Sequence, residues 1–263
     1  MTGADGLSLE QFGALSAIRA RMEEIPICLI GGMALACQGY LAYRQTQDLD
    51  LAIAVPSARI DAELGALEGW SPSAEAPHRW LAPGNTRIDV IPIPPEALQA
   101  GRTSWADGTS MSLTDFRHLL TAAIPYEAQP DLRIMLAPPA LIAFLKVVAF
   151  QERPGDRVRD LGDIAFLLDE HREDARIFAA DVIQTQLPED LLGAFLLGRD
   201  LAQLLDAEER TVALDFSDRI LQHRDGGFAE QQLNRQGPPS WRDDPDRVRH
   251  IMRAFERGLR IHQ

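Results

Sequence analysis

Two aspartates one residue apart, Asp48 and Asp50, lie in an otherwise apolar run. Successive side chains on a strand alternate between its two faces, so these two carboxylates are expected to point the same way. A third carboxylate, Asp89, lies in a second apolar run, 86–93. Like charges held side by side repel, and a cation between them removes that repulsion. Because carboxylate oxygens are hard ligands, the aspartates predict a site for Mg²⁺, with Mn²⁺ as the alternative ion.

The functional interpretation of the aspartates is a site with two ions for phosphoryl or nucleotidyl transfer. Asp48 and Asp50 would hold both ions, and Asp89 would hold the ion that activates the acceptor hydroxyl. Gly31 and Gly32 form a turn ahead of a predicted helix. Their backbone N–H groups would bind the phosphates of a nucleoside triphosphate, because no Cβ blocks the approach.

Arg44 and Thr46 precede the two aspartates at the same two-residue spacing. If the strand alternation extends back to them, both share the aspartate face and would contact phosphate. The opposing interpretation is a solvated strand edge, in which an arginine, Arg44 or Arg87, neutralises Asp89. The sequence leaves both interpretations open.

The single lysine of the chain, Lys146, lies in the apolar run 141–150. An unpaired buried ammonium is costly, so Lys146 needs a carboxylate or a phosphate. Asp160 and Asp163 are three residues apart and therefore share one face of the next predicted helix. One interpretation places Lys146 on the triphosphate or the leaving pyrophosphate, with Asp160 or Asp163 orienting it. The other is a structural lysine–aspartate pair between two helices, or a lysine that extends to solvent.

The elements that must position these residues change character along the chain. In residues 1–136, short apolar strands alternate with helices, which predicts a mixed sheet flanked by helices. A Pro-Gly-Asn turn at 83–85 predicts a hairpin leading into the strand of Asp89, and 132–136 is expected to be an edge strand. Residues 137–263 have an almost entirely helical pattern. The predicted fold is therefore α/β (α+β) with a helical C-terminal domain.

The net charge and the composition limit the classes of molecule that the protein is expected to bind. The 263 residues carry a formal net charge of −13, which does not favour a nucleic-acid polyanion. Any RNA contact would have to be local, and the arginine-rich segment 247–260 is either such a patch or a solvated helix face. No apolar run reaches membrane-spanning length and the N-terminus lacks a signal-peptide layout, so we expect a cytoplasmic protein with no membrane partner. Cys28 and Cys37 lack metal-ligand spacing and are expected to be small buried residues in a reducing compartment.

The motifs resemble those of the nucleotidyltransferase superfamily with the DNA-polymerase-beta-like fold. That family has a Gly-Gly or Gly-Ser turn, a helix, an Asp-x-Asp strand and a third aspartate on a later strand. Within it, the chain is most similar to the AbiEii/AbiGii-type toxin nucleotidyltransferases. The residues that carry this closer resemblance are Gly31, Gly32, Ala34, Leu35, Gly39, Tyr40, Arg44, Thr46, Asp48 and Asp50. The resemblance covers most of 26–170, since a lysine-bearing helix followed by Asp-x-x-Asp is also similar.

The resemblance implies a metal-dependent enzyme that moves a nucleoside monophosphate from a nucleoside triphosphate to an acceptor hydroxyl. It implies two Mg²⁺ ions as cofactors and a helical domain, 137–263, that closes on substrate and nucleotide. It further implies a toxin-like role, with tRNA as an acceptor and a cognate antitoxin protein as a partner. Two alternatives stay open. One is a transferase acting on a small aminoglycoside-like hydroxyl compound, which the acidic composition fits; the other is a non-catalytic binding or regulatory module on the same fold.

Overall fold

The structure of the chain is a computed structural model, and its contacts divide the chain into two compact units. We call Met1–Pro138 the sheet unit and Pro139–Gln263 the helical unit. No helix in the part of the chain that is described is long and apolar enough to cross a lipid bilayer. The residues described are 7–40, 48–129, 132–172, 174–222, 227–244 and 246–261.

The sheet unit is built on a mixed sheet, as the sequence predicts. Its strands are β1 (Ile27–Ile30), β2 (Leu49–Ile53), β3 (Ser71–Pro72), β4 (Arg79–Ala82), β5 (Thr86–Pro92), β6 (Arg102–Ser104), β7 (Ser110–Ser112), β8 (Ile124–Gln129) and β9 (Leu132–Leu136). Within the described residues, β6 and β7 form a separate hairpin and the others form one sheet in the order β3-β4-β5-β2-β1-β9-β8. The sheet is mixed because β2 pairs antiparallel with β1 and parallel with β5.

The centre of the sheet is apolar and buried. All of β1 is buried, and every residue of β2 except Asp50 is buried. Runs of this kind are typical of strands that are covered on both faces. A half-buried carboxylate within such a strand therefore lies where the covering of one face ends.

The expectation that 132–136 forms an edge strand is wrong. That segment is β9, and β8 pairs outside it in antiparallel fashion, with Tyr126 opposite Ile134. Pro125 lacks a backbone N–H and is therefore compatible with the outermost strand. The sequence did not indicate β8 because its side chains are mostly exposed and lack a clear apolar alternation.

Helices cover the sheet and connect its strands. The first of them begins at a capping box: Ser8 Oγ accepts from the Gln11 N–H at 3.2 Å, and the Gln11 side chain accepts from the Ser8 N–H at 2.8 Å. The helices of the sheet unit are α1 (Leu9–Arg21), α2 (Gly31–Cys37), α3 (Ser57–Gly65), α4 (Pro95–Ala100) and α5 (Leu119–Ala122), with short 3₁₀ turns at Pro83–Asn85 and Thr114–Phe116.

The helical unit agrees with the predicted helical second half. Its α-helices are α6 (Pro139–Glu152), α7 (Val158–Glu170), α8 (Asp174–Ile177), α9 (Ala180–Ile183), α10 (Leu192–Leu204), α11 (Ala207–Gln222), α12 (Phe228–Gln236) and α13 (Arg247–Leu259), with 3₁₀ turns at Glu189–Leu191 and Pro239–Asp243. Two glycines let the backbones of α10 and α13 lie in contact. A Cβ on Gly258 would lie 2.7 Å from the backbone nitrogen of Arg199, and a Cβ on Gly198 would lie 3.1 Å from the backbone nitrogen of Leu259.

Candidate functional site

The register of the central strands brings two of the predicted aspartates together. On the parallel pair β2–β5, Asp50 lies directly opposite Asp89. Neighbouring strands are about 4.8 Å apart and directly opposed side chains share a face, so the two carboxylates are adjacent. Asp48 lies just before β2 and, like Asp50, is half-buried. We call Asp48, Asp50 and Asp89 the aspartate cluster.

Gly31 is fixed by the close approach of one of these carboxylates. Its φ of +67° lies in the left-handed region, which favours glycine. A Cβ at this position would overlap Asp50 Oδ2 and would lie 3.1 Å from Asp50 Cγ. Glycine is therefore required twice, once for the backbone conformation and once for the space that the Asp50 carboxylate occupies.

The first turn of α2 begins at this glycine. Ile30 is the N-cap residue, and its apolar side chain offers no capping hydrogen bond to the first N–H groups. Gly31 and Gly32 are both half-buried. The predicted phosphate-binding turn is thus located beside Asp50, at the start of a short helix.

Asp89 is held by an arginine from the neighbouring strand. Arg79 lies directly opposite Asp89 on the antiparallel pair β4–β5. Its guanidinium donates through Nε to Asp89 Oδ1 at 2.8 Å and through Nη2 to Oδ2 at 2.9 Å. This fork uses both carboxylate oxygens, which is the strong geometry for an arginine–carboxylate pair. The predicted partner was Arg87 or Arg44; among the described residues, which do not include Arg44, the guanidinium on Asp89 is that of Arg79.

Two further groups surround this pair. Arg79 Nη1 donates to Glu75 Oε2 at 3.0 Å, and His78 Nε2 lies 3.9 Å from Asp89 Oδ2. The hydrogen bonds to Asp89 raise the pKa of the Arg79 guanidinium, with smaller contributions in the same direction from Glu75 and from the charge of Asp48, against an opposing effect of burial. Arg79 is therefore a permanent cation at this site.

The donors of the aspartate cluster fit a divalent cation. All three offer carboxylate oxygens, the ligands that Mg²⁺ and Mn²⁺ prefer. The carboxylates that act on the Arg79 guanidinium are Asp89, Glu75 and Asp48, so they carry more negative charge than it carries positive charge. Asp48 and Asp50 would hold the cation, and Asp89 would become a ligand only if Arg79 released it.

The predicted lysine cluster is assembled within the helical unit. Lys146 on α6 lies 3.0 Å from Asp160 Oδ1 and 2.6 Å from Asp163 Oδ2, both on α7. The side chains are 12%, 14% and 4% exposed, respectively. Burial lowers the pKa of Lys146, but the two carboxylates outweigh it and the net shift is upward. The contacts are those of the structural lysine–aspartate interpretation, and phosphate binding by Lys146 stays a prediction.

The remaining predicted residues divide into two groups. Arg44 and Thr46 lie outside the described residues. Three of the five arginines of the segment 247–260 are ion-paired within the helical unit: Arg247 with Asp190, Arg249 with Glu230 at 3.0 Å, and Arg260 with Glu256 at 2.7 Å. These contacts favour the interpretation of α13 as a solvated, ion-paired helix face over that of an RNA-binding patch.

Arg79 is the residue that sequence reasoning missed. The hairpin turn at 83–85 contained the signal, because a hairpin that pairs Ala82 with Thr86 also pairs Arg79 with Asp89. His78, the residue before Arg79, also borders the site, and its ring centroid lies 5.6 Å from that of Trp105 in the β6–β7 connection.

Comparisons with known proteins give weak structural similarities at low sequence identity. No protein-family model matches the chain. No curated protein matches it either. The chain is similar to the crystal structure of an antigenic nucleotidyltransferase-like protein from Paracoccidioides brasiliensis, with 16% identity, a TM-score of 0.42, and coverage of 78% of this chain and 93% of that one. It is also similar to the solution structure of the antibiotic-resistance factor ANT(2'')-Ia, with 16% identity, a TM-score of 0.38, and coverage of 81% and 99%. Because both TM-scores are below 0.5, the functional argument rests on the residues of the site.

Proposed function

We propose that the chain is a metal-dependent nucleotidyltransferase, which moves a nucleoside monophosphate from a nucleoside triphosphate to an acceptor hydroxyl. The observation that carries the proposal is the β2–β5 register, which sets Asp50 opposite Asp89. Gly31 supports it, since its missing Cβ is the space that the Asp50 carboxylate fills. A carboxylate pair beside a glycine turn combines the two things that the reaction needs, a cation site and a phosphate site.

Each residue of the site has a proposed task. Asp48 and Asp50 hold the divalent cation, which when bound offsets the negative charge of the phosphates and lowers the pKa of the acceptor hydroxyl. The N–H groups of Gly31 and Gly32 bind phosphate oxygens and orient the triphosphate. Asp89, once free of Arg79, would hold the ion that activates the acceptor hydroxyl, which loses its proton near this carboxylate. The hydroxyl oxygen then bonds to the α-phosphorus as the bond to pyrophosphate breaks.

The helical unit is proposed to contribute substrate and nucleotide contacts, with Lys146 bound to phosphate and Asp160 or Asp163 positioning its ammonium. The proposed acceptor is RNA, with tRNA as the first molecule to test, in a toxin-like role that a cognate antitoxin protein would restrain. This part of the proposal rests on the resemblance of the motifs between Gly31 and Asp50 to those of toxin nucleotidyltransferases.

A second candidate acceptor is a small polycationic hydroxyl compound of the aminoglycoside type. The net charge of −13 favours it, because an acidic protein attracts polycations and repels RNA. The ion-paired arginines of α13 leave less free positive charge for an RNA backbone.

One experiment tests the proposal and separates the acceptors. The full chain is incubated with Mg²⁺, each α-³²P-labelled nucleoside triphosphate, and either total tRNA or a panel of aminoglycosides. Label that appears in RNA supports the first acceptor, and label in the small compounds supports the second. Absence of transfer to every acceptor, together with no thermal shift on adding Mg²⁺ and nucleotide, would favour the non-catalytic module on the same fold.

A further inference from the structure

We propose that Arg79 is an internal competitor for the divalent cation at Asp89, and that cation binding moves its guanidinium onto Glu75. The inference rests on the proposed function, since it concerns the same aspartate cluster. It adds a residue and a condition: the third carboxylate is closed to a cation until Arg79 has left it.

The strand register makes the competition unavoidable. Asp89 has Asp50 opposite it on β2 and Arg79 opposite it on β4. All three side chains therefore lie along one row across the sheet face. Asp89, in the middle of the row, has the Asp50 carboxylate on one side and the Arg79 guanidinium on the other. A cation bound between Asp50 and Asp89 would therefore repel Arg79.

The geometry makes occupancy by arginine and by a cation mutually exclusive. Arg79 uses both oxygens of Asp89, at 2.8 and 2.9 Å. Mg²⁺ binds a carboxylate oxygen at about 2.0–2.1 Å, so a cation on either oxygen would lie within a few ångströms of the guanidinium. Two positive charges at that separation repel strongly where water is partly excluded, and the side chains of Arg79 and Asp89 are only 21% and 15% exposed.

Charge favours a divalent cation over Arg79 as the partner of Asp89. Arg79 brings one positive charge to Asp89, and Asp48 is also close enough for its charge to act on the guanidinium. A divalent cation brings two charges to the same oxygens. The competition therefore sets a concentration threshold for the cation at Asp89 and does not block it outright.

Glu75 offers the displaced arginine a destination. Arg79 Nη1 already donates to Glu75 Oε2 at 3.0 Å, and the Glu75 side chain is 66% exposed. Moving toward solvent, Arg79 exchanges its Asp89 contacts for a pair that exists before the cation arrives. The exchange leaves no unpaired buried charge, which would otherwise make release of the arginine costly.

The test measures Mn²⁺ binding to the full chain without nucleotide, by calorimetric titration and by the electron paramagnetic resonance of free Mn²⁺. Arg79→Gln is expected to bind Mn²⁺ about tenfold more tightly or better, since a charge-assisted pair no longer competes. Arg87→Gln is the matched control: it removes the same charge from an exposed position on β5, two residues before Asp89, and should stay within about twofold of wild type.

The gain must depend on the carboxylate that Arg79 covers. Adding Asp89→Asn to Arg79→Gln is expected to cancel it. Equal affinity in wild type and Arg79→Gln, a gain that survives Asp89→Asn, or an equal gain in Arg87→Gln would each overturn the competition. If Arg79→Gln does not fold in a thermal-melt check, Arg79→Lys replaces it. A lysine side chain keeps the positive charge but lacks the planar fork, so Arg79→Lys is expected to gain less Mn²⁺ affinity than Arg79→Gln. If Arg79→Lys gained no affinity at all, the proposal would be overturned.

Nucleotide transfer is measured separately on the same variants, so the two proposals can fail independently. An Asp89-dependent gain in Mn²⁺ affinity without transfer in any variant would leave the competition standing and remove the proposed function. Transfer by the wild type with no gain in Arg79→Gln would do the reverse.

Discussion

Two places in the molecule combine one cation with acidic side chains, and they are built differently. On the sheet, Arg79 holds Asp89 while Asp50 lies opposite on the next strand. In the helical unit, Lys146 is enclosed between Asp160 and Asp163. Arg79 also reaches the exposed carboxylate of Glu75, whereas Lys146 lies between a half-buried carboxylate, Asp160, and a buried one, Asp163.

The difference lies in what each cation could exchange for its partner. Arg79 has an exposed route to Glu75, which is itself 66% exposed, so it can leave Asp89 at modest cost. Lys146 meets two carboxylates inside a helix interface, and removing it would take away the cation nearest to both, leaving Arg157 Nη1 at 3.9 Å from Asp160 Oδ2. We therefore interpret the sheet pair as displaceable and the lysine cluster as fixed.

The largest effect is expected where a cation would bind. Asp50→Asn keeps the shape of the side chain and removes its charge, and should lower nucleotide transfer by more than about a hundredfold, because a metal ligand is lost. Folding should change little, since the packing against Gly31 is retained. Transfer rate and thermal melting are measured on the same preparation. Asp61→Asn, an exposed substitution on α3, is the control, and retained turnover in Asp50→Asn would contradict the cation assignment.

Lys146→Met is expected to lower the free energy of unfolding more than any substitution of Arg79 does. Breaking a buried ion pair from one side costs about 3 to 5 kcal/mol, because Asp160 and Asp163 keep their charges. Urea unfolding measures the loss, and Arg79→Gln, whose partner is nearer to solvent, should lose less. Lys146→Met also tests phosphate binding, through the transfer rate of its folded fraction at increasing nucleotide concentration. If that rate depends on nucleotide concentration as it does in wild type, Lys146 has only a structural role.

Part of this arrangement could be predicted from the sequence, and the reason is local. The strand alternation near Asp50 and the cost of burying Lys146 are properties of short segments, and the mixed sheet with a helical second half follows from such segments. The pairing of Asp50 with Asp89 joins parallel strands far apart in the chain, and no local pattern sets that register. Arg79 was not predicted as the partner of Asp89 for a different reason. The hairpin was predicted from its turn alone, and its register was not followed back from Ala82 to Arg79.

A smaller effect is expected from pH, and it distinguishes the fixed cluster. The folded-state pKa of Lys146 is raised above its ordinary value of 10.5 by Asp163 and Asp160, which outweigh burial. The stability from this shift is present in full below the unfolded pKa and is lost as pH rises through the folded pKa. Wild type should therefore lose unfolding free energy above about pH 10.5, beyond the loss in Lys146→Met. Parallel stability curves for the two proteins at alkaline pH would show that the lysine charge is not coupled to folding.

The smallest effect concerns the sheet behind the aspartates, which must stay rigid if only Arg79 is to move. Cys28 on β1 is fully buried, and burial raises the pKa of its thiol to about 12. Cys37, which the sequence predicted to be buried, is half-buried because it lies at the end of α2. Because the thiolate is the reactive form, a thiol reagent at pH 8 should label Cys37 and leave Cys28 unmodified in the native protein. The comparison is sharpened by repeating the labelling with saturating Mn²⁺. If Cys28 became reactive on cation binding, the sheet itself would be opening, and the exchange could not be confined to the Arg79 side chain.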